Sequence, residues 1–461
     1  MTDRDAVLIR AARLAQDYLA GVADRPVGAR ATADALRATL GGALPETGEA
    51  PTAVLDRLAA AAVDGTVATQ GPRYFGFVVG GSVPAATGAD WLVSAWDQNA
   101  GIFVLSPLVS VVEEITLDWI RAIVGLPGGW SGGFVTGCQM ANFTSLVAAR
   151  HHVLAEAGWD VEALGLHGAP PIDVIISDEA HYTISMALRL AGLGAATARR
   201  VPTDGQGRMR PAELEAMVRH TTGPCIICAQ AGNVNTGAFD PLAPIADLAK
   251  ARGAWLHVDG AFGLWAAASP SLAPLVAGID RADSIATDAH KWLNVPYDCG
   301  IALTAHPDAL RAALSLSAAY ILASRSERDP HEYVPEESRR GRAVPVYAAL
   351  RSLGRDGLRA LVERNCAQAR RLADALRGAP GVTVLNDVVL NQVLVRFTPA
   401  DGGDADAFTQ QVVARVQADG TCWLGGTTWH GMAAMRVSFS NWSTTDEDVD
   451  RSAAAILRAA R

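Results

Sequence analysis

The chain has no stretch of roughly 18 uninterrupted apolar residues, the length a helix needs to cross a bilayer. It has no long run of lysine or arginine, and its formal net charge is -9. A nucleic acid or an anionic membrane is therefore not expected as partner, and a small molecule is. Residues Met1 to Asp5 lack the basic and apolar segments of a signal peptide, so the expected location is cytoplasmic. Cysteine is scarce, six residues without the spacing of a disulfide framework, which fits a reducing compartment. Cys225 and Cys228 have CxxC spacing but lie in an apolar run, and no second pair completes a metal site. His151 and His152 are adjacent on a helical pattern and point different ways, so no metal is expected there either. Internal repeats are absent. What the chain does have is apolar material: 50% of its 461 residues are hydrophobic and 19% charged, enough for a large core.

Residues 1 to about 70 are rich in Ala and Leu at helical spacing (Leu8, Ala11, Leu14, Ala15, Tyr18, Leu19), which predicts a helical arm that packs on something else. An aromatic and glycine-rich stretch follows, Tyr74 to Gly81, then Trp91, Trp96 and Phe103. From Gly125 short apolar strands alternate with longer helical stretches, the pattern of a mainly parallel α/β sheet. Expected strands cover 173–177, 225–229, 254–258, 284–287 and 300–304. Residues 320 to 345 are charged and punctuated by proline, as in a mobile surface loop or lid, and include Arg325 and Tyr333. From Val346 the pattern is that of a small α+β domain. The expected division is thus an arm over 1–80, a large α/β domain over 81–345 and a C-terminal domain over 346–461.

Ligands of open parallel sheets bind beyond the carboxyl ends of the strands. Here successive strands end in Thr136, His181, Asn235, Asp259 and Lys291, each a residue a site could use. Lys291 sits among Ala289, Trp292, Leu293 and Val295, and burial there lowers its pKa toward the neutral amine of a Schiff-base lysine. A carbonyl cofactor on that lysine would need a phosphate site, which backbone N–H groups of Gly137, Cys138 and Gln139 at a helix N-terminus provide. Its pyridine nitrogen would need a carboxylate, and Asp259 is the candidate. His181 is placed to stack on the ring and Ala261 to face its other side. These demands describe pyridoxal phosphate.

Asp178-Glu179-Ala180-His181, His257-Val258-Asp259-Gly260-Ala261-Phe262, and Asp288-Ala289-His290-Lys291-Trp292-Leu293 with Asp298-Cys299-Gly300 closely resemble motifs of the group II pyridoxal-phosphate-dependent amino acid decarboxylases. The resemblance spans nearly the whole chain, from Ser106-Pro107 to Arg436-Val437-Ser438-Phe439. It implies fold type I and an obligate homodimer with active sites at the subunit interface, the N-terminal arm exchanged between subunits. It implies Lys291 as the Schiff-base lysine, Asp259 on the ring nitrogen, His181 on the ring face, Ala261 behind it, and Thr287 and His290 at the cofactor. Two stretches depart from the pattern. Cys138-Gln139-Met140 stand where Gly or Ser is usual, and Gly232-Asn233-Val234-Asn235 stands for the common Gly-Thr-Thr, leaving Asn235 or Thr236 to contact the ring substituent. Tyr333 falls in the region of a loop tyrosine that returns a proton to the substrate carbon, at a shifted spacing from Arg339-Arg340. Lys291, His181 and Tyr333 are thus the expected catalytic residues. Phe77, Trp96, Phe103 and Arg436 are expected in the substrate pocket, favouring an aromatic or bulky apolar amino acid, although Arg73 would suit an acidic one. The expected reaction is decarboxylation to the amine and carbon dioxide. The alternative keeps the cofactor and changes the outcome to aldehyde formation, C–C cleavage or transamination.

Overall fold

The computed structural model describes residues 3–315 and 327–461, which form two units. Residues 316–326 lie outside the described residues, and with them Arg325 and the rest of 320–326 in the expected lid. The larger unit comprises Gly80–Arg370 and Asn386–Val393. Its centre is a seven-stranded sheet of β1 (Ser131–Val135), β2 (Asp173–Ser177), β3 (Arg199–Val201), β4 (Cys225–Gln230), β5 (Trp255–Asp259), β6 (Ser284–Asp288) and β7 (Gly300–Thr304), in the order β1-β7-β6-β5-β4-β2-β3. Strands β3, β2, β4, β5 and β6 pair in parallel. Every residue of β4, β5 and β6 is buried, and such strands read as unbroken apolar runs because helices cover both faces. The helix Cys138–Glu156 lays Leu146, Ala149 and Val153 against Val174, Ile226 and Trp255.

β7 runs antiparallel to both neighbours, which the alternation of strands and helices does not foretell. Its first residue, Gly300, lies between Val135 of β1 and Asp288 of β6. A Cβ there would come within 2.3 Å of the Gly137 carbonyl carbon, so only glycine lets the helix N-terminus approach the sheet so closely. Gly80 does the same for the lysine turn, since a Cβ would sit 1.8 Å from the Lys291 carbonyl oxygen.

The second unit gathers the chain up to Val79 with Arg371–Leu385 and Leu394–Arg461. It holds a four-stranded sheet, order β10-β11-β9-β8, of β8 (Val382–Val384), β9 (Gln392–Phe397), β10 (Gly425–Trp429) and β11 (Met432–Ser438). The helix Asp446–Ala459 starts at a capping box in which Thr445 and Asp448 satisfy each other's backbone N–H groups. Asp448 also accepts from Arg73 at 2.8 Å, and Arg73 donates to the carbonyls of Thr421 and Ala23. Arg73 is therefore a buried structural tie, and its suitability for an acidic substrate is corrected accordingly. Asp448, which claims it, is 375 residues away in sequence. The helices Asp3–Gly21 and Pro51–Gly65 bury none of their described side chains, although both are rich in Leu, Val and Ala. Among the described residues no helix is long and apolar enough to cross a membrane.

Candidate active site

Four strand ends and one helix start converge in the larger unit. β6 delivers Asp288, and the turn after it presents His290 and Lys291. β5 delivers Asp259, and the helix Cys138–Glu156 begins directly after β1 with Gly137 as its N-cap. β4 leads to Asn235 and Thr236, and β2 to His181.

Asp288 organises the lysine side of this edge. One of its oxygens, Oδ2, lies 2.7 Å from Lys291 Nζ. The other accepts from the Cys138 N–H at 2.6 Å and lies 3.4 Å from His290 Nε2. His290 Nδ1 accepts from the Cys299 N–H at 3.1 Å, so the ring carries its proton on Nε2, facing Asp288. Burial keeps His290 below its ordinary pKa and hence neutral. The expectation for Lys291 is overturned. Burial is the largest single influence and does pull its pKa down, but Asp288, followed by Cys138 and, least, Asp259, outweighs it and holds the ammonium above the ordinary lysine range. Asp288 is quoted in the sequence motif without a role, and its signal was its place three residues before the lysine at a strand end.

Asp259 is held differently. It accepts from the Cys138 thiol at 3.4 Å, from the Ala261 N–H at 3.1 Å and from Asn142 Nδ2 at 3.3 Å. Cys138 and Asn142 are four residues apart on one face of their helix, which is why both reach the same carboxylate. Asn142 and His257 are functional candidates to which the sequence reading gave no role: His257 stands two residues before Asp259, but the Asn142 amide that joins the two lies 115 residues before His257. Ala261 packs with Cys138 and Ala286 beside it.

The remaining expected residues are less closely gathered. His181 caps the helix Tyr182–Leu190, half-buried, with Nδ1 2.7 Å from Thr183 Oγ1. The Thr236 hydroxyl is committed to the Gln206 carbonyl at 2.7 Å, whereas Asn235 is buried beside it. Gln139 is exposed, and the Cys138 N–H is taken by Asp288. Trp96 ends the helix Pro84–Trp96, 39% exposed, and Phe103 is half-buried with its N–H on Asp329 Oδ1. Phe77 and Arg436 belong to the second unit. Phe77 is 62% exposed, at φ 54, with its ring against Trp423. Arg436, on β11, has no hydrogen-bond or ion-pair partner among the described residues, and burial alone lowers its pKa.

Tyr333 is not brought to Lys291 within this chain. Its ring lies under the Arg328 guanidinium, 3.7 Å away, and Arg328 donates to Ser131 Oγ at 2.8 Å. Ser131 begins β1, at the sheet end opposite Val135, roughly 13 Å of strand from the lysine edge. The described part of the expected lid is also no loose surface. Arg339 is wholly buried, paired with Glu113 at 2.8 Å and donating to the Phe134 carbonyl at 2.6 Å. Arg328 and Arg339 thus form a buried network with Glu113, in which each ion needs its partner, while Glu327, Glu337 and Arg340 remain exposed.

The set of groups at the lysine edge fits pyridoxal phosphate: a primary amine, a buried carboxylate held only by neutral donors, and a helix N-terminus entered through glycine. The Thr287 hydroxyl adds a buried polar atom without a partner among the described residues. Comparison with known proteins agrees. Residues 34–398 match the pyridoxal-dependent decarboxylase conserved domain. The chain is 27% identical to an aromatic-L-amino-acid decarboxylase of Bacillus atrophaeus, covering 94% of this chain and 90% of that one. It is 29% identical to an L-2,4-diaminobutyrate decarboxylase of Rhizobium meliloti, covering 91% and 84%. Oryza sativa TDC, solved with PLP and tryptamine, superposes with a TM-score of 0.93 at 24% identity, covering 99% of this chain and 97% of that one, a likeness of fold. The chain therefore belongs to the pyridoxal-dependent decarboxylases, with fold type I and pyridoxal phosphate as cofactor.

Proposed function

We propose that this member of the pyridoxal-dependent decarboxylase family removes the carboxyl group of an L-amino acid with an aromatic or bulky apolar side chain, giving the amine and carbon dioxide. The observation that carries the reading is the edge where Lys291 and Asp259 meet the same helix N-terminus, with Cys138 touching both Asp288 and Asp259. Bound there, pyridoxal phosphate supplies a carbonyl for the substrate amine and a protonated ring that takes up the electron pair freed at Cα. Lys291 holds the cofactor between turnovers and releases the product amine. Asp259 keeps the ring nitrogen protonated, while His181 covers one ring face and Ala261 leaves room on the other. Thr287 and Asn235 are assigned to the cofactor's polar substituents, and His290 holds Asp288 in place. Proton return is assigned to His181, and to Tyr333 only after its segment leaves Arg328.

For the substrate, Arg73 is withdrawn by Asp448, which removes the support for an acidic side chain. Within the larger unit, the exposed Trp96 and the half-buried Phe103 support an apolar one. Relatives named for aromatic amino acids and for L-2,4-diaminobutyrate bracket the choice. The test is a panel of common L-amino acids given to the loaded enzyme and to Tyr333→Phe, scored for carbon dioxide, amine, aldehyde and keto acid. Amine and carbon dioxide from the aromatic members are expected, and no carbon dioxide from any member would sink the reading. Aldehyde as the main product transfers the site to the oxidative alternative, and an unchanged product ratio in Tyr333→Phe removes that tyrosine from the mechanism.

The second part of the proposal is a homodimer. The helices Asp3–Gly21 and Pro51–Gly65 frame an apolar groove of about 640 Å³, lined by Leu14, Tyr18, Leu55, Leu58 and Val63. A second copy of this chain is the occupant that the self-complementary apolar helices support. Sedimentation is expected to show a dimer that Leu58→Glu weakens, and a monomeric wild type would refute it.

A further inference from the structure

We propose that Asn142 and His257 are positioning residues for Asp259, the last links of a buried chain of donors that orients the carboxylate and stabilises its charge. The proposal rests on the reading of Asp259 as partner of the ring nitrogen. His257 and Asp259 are two residues apart on β5 and so project from the same face of the strand. The Asn142 amide spans the gap between them: Nδ2 is 3.3 Å from Asp259 Oδ2, and Oδ1 is 2.9 Å from His257 Nε2. His257 Nδ1 lies 2.9 Å from Ser284 Oγ, which accepts from Trp255 Nε1 at 2.8 Å.

The chemistry at the two ends leaves one direction for every proton. Indole N–H can only donate, so the Ser284 oxygen accepts from Trp255 and its hydroxyl proton is free for His257 Nδ1. A carboxylate can only accept, so Asn142 turns its amide N–H to Asp259 and its oxygen to His257. His257 therefore carries a proton on Nε2, and burial, which pushes its pKa down to about 4, keeps the ring neutral so that Nδ1 accepts from the Ser284 hydroxyl. Each donor in such a chain polarises the next, and the summed dipole points its positive end at Asp259. A charged His257 would turn the Ser284 link around, because Nδ1 would then donate to Oγ instead of accepting from it. The arrangement is wholly buried, with Asn142 and His257 at 0% exposure, so water cannot replace a missing link.

The test compares two cofactors on enzyme stripped and reloaded: pyridoxal phosphate, and its deaza analogue in which carbon replaces the ring nitrogen. Equilibrium affinity for each is measured by titration. Wild type is expected to prefer pyridoxal phosphate, and Asp259→Ala to erase most of that preference. Should Asp259→Ala leave the preference intact, Asp259 is not the partner of the ring nitrogen and both assignments fall. If Asp259→Ala erases it, Asn142→Ala is expected to shrink the preference roughly tenfold, the scale of one hydrogen bond to a charged group. His257→Phe should act likewise, and His257→Gln, which restores one N–H donor, should recover part of the loss. A purely structural role lowers both affinities by one factor and leaves their ratio at the wild-type value, which overturns the proposal. Nitrogen NMR of the wild type needs no variant: a neutral Nε2–H imidazole for His257 from about pH 6 to 9 is expected. The opposite tautomer refutes the chain.

Discussion

Two buried carboxylates stand at neighbouring strand ends, and the chain treats them in opposite ways. Asp288 has a cation of its own, Lys291 at 2.7 Å. Asp259 is surrounded by neutral donors, a thiol, an amide and a backbone N–H. A carboxylate solvated only by neutral dipoles remains open to a positive partner from outside, which is what a protonated pyridine brings. Asp288 is already paired, and under the proposed function it sets when the lysine becomes available. Similar side chains thus serve two functions, and the difference lies in the second residue of each pair.

The sharpest way to break the contrast is to take the cation from Asp288. Lys291→Ala leaves that carboxylate buried beside Asp259 with no counter-charge, a loss of roughly 3–5 kcal/mol for a broken buried pair. Denaturant unfolding of the cofactor-free protein measures it. The double variant Asp288→Asn/Lys291→Ala should recover most of the loss, because an amide in place of the carboxylate needs no counter-ion. No recovery would mean that the pair is not what stabilises this edge. Both variants should fail to turn over substrate.

The second effect belongs to Asp259's side. His257 is neutral in the folded protein with a pKa of about 4, against an ordinary value near 6.5 in the unfolded chain. The folded pKa is depressed, so the unfolded state takes up the proton first. The stabilisation is complete above pH 6.5 and is lost as pH falls from 6.5 toward 4, by roughly 3 kcal/mol in full. Carboxylates elsewhere contribute to acid unfolding too, so the useful quantity is the difference between wild type and His257→Gln across that window. The difference should close as pH falls, and a constant offset would show that protonation of His257 is not linked to folding.

How much of this was legible in sequence follows from how far each link reaches. Lys291, Asp259 and the strands beneath them were readable because they depend on local pattern: an apolar run, then a polar residue where the run stops. Trp255 to Asp259 on β5 needs nothing beyond its own alternation with helices to be placed in a parallel sheet. The brace on Asp259 joins residues 115 apart, and Arg73 is claimed by Asp448 375 residues on, so neither pairing leaves a trace near the residue it controls. The charged stretch around Arg339 misled for the same reason. Its partner Glu113 is 226 residues earlier, and only that ion pair turns a solvent-facing composition into a buried one. The pKa of Lys291 was misjudged by a single neighbour. Lys291 is half-buried, and the sign of the net shift depended on where the Asp288 side chain pointed.

The smallest expected effect isolates that neighbour. Asp288→Asn keeps an oxygen that can accept the Cys138 N–H, so the helix N-terminus and the His290 ring should stay in place. What it removes is the anion that outweighs burial at Lys291. With only Cys138 and Asp259 left to oppose burial, the lysine pKa falls, and each unit gained in that direction raises the neutral amine about tenfold at a given pH below it. Only the neutral amine attacks a carbonyl, so uptake of pyridoxal phosphate by the stripped variant near neutral pH should be about tenfold or more faster than by wild type, with its pH midpoint shifted to lower values. The rate of growth of the bound-cofactor absorbance, followed as a function of pH, measures this. An unchanged midpoint would show that Asp288 does not set the lysine's charge. The contrast between the two carboxylates would then reduce to packing.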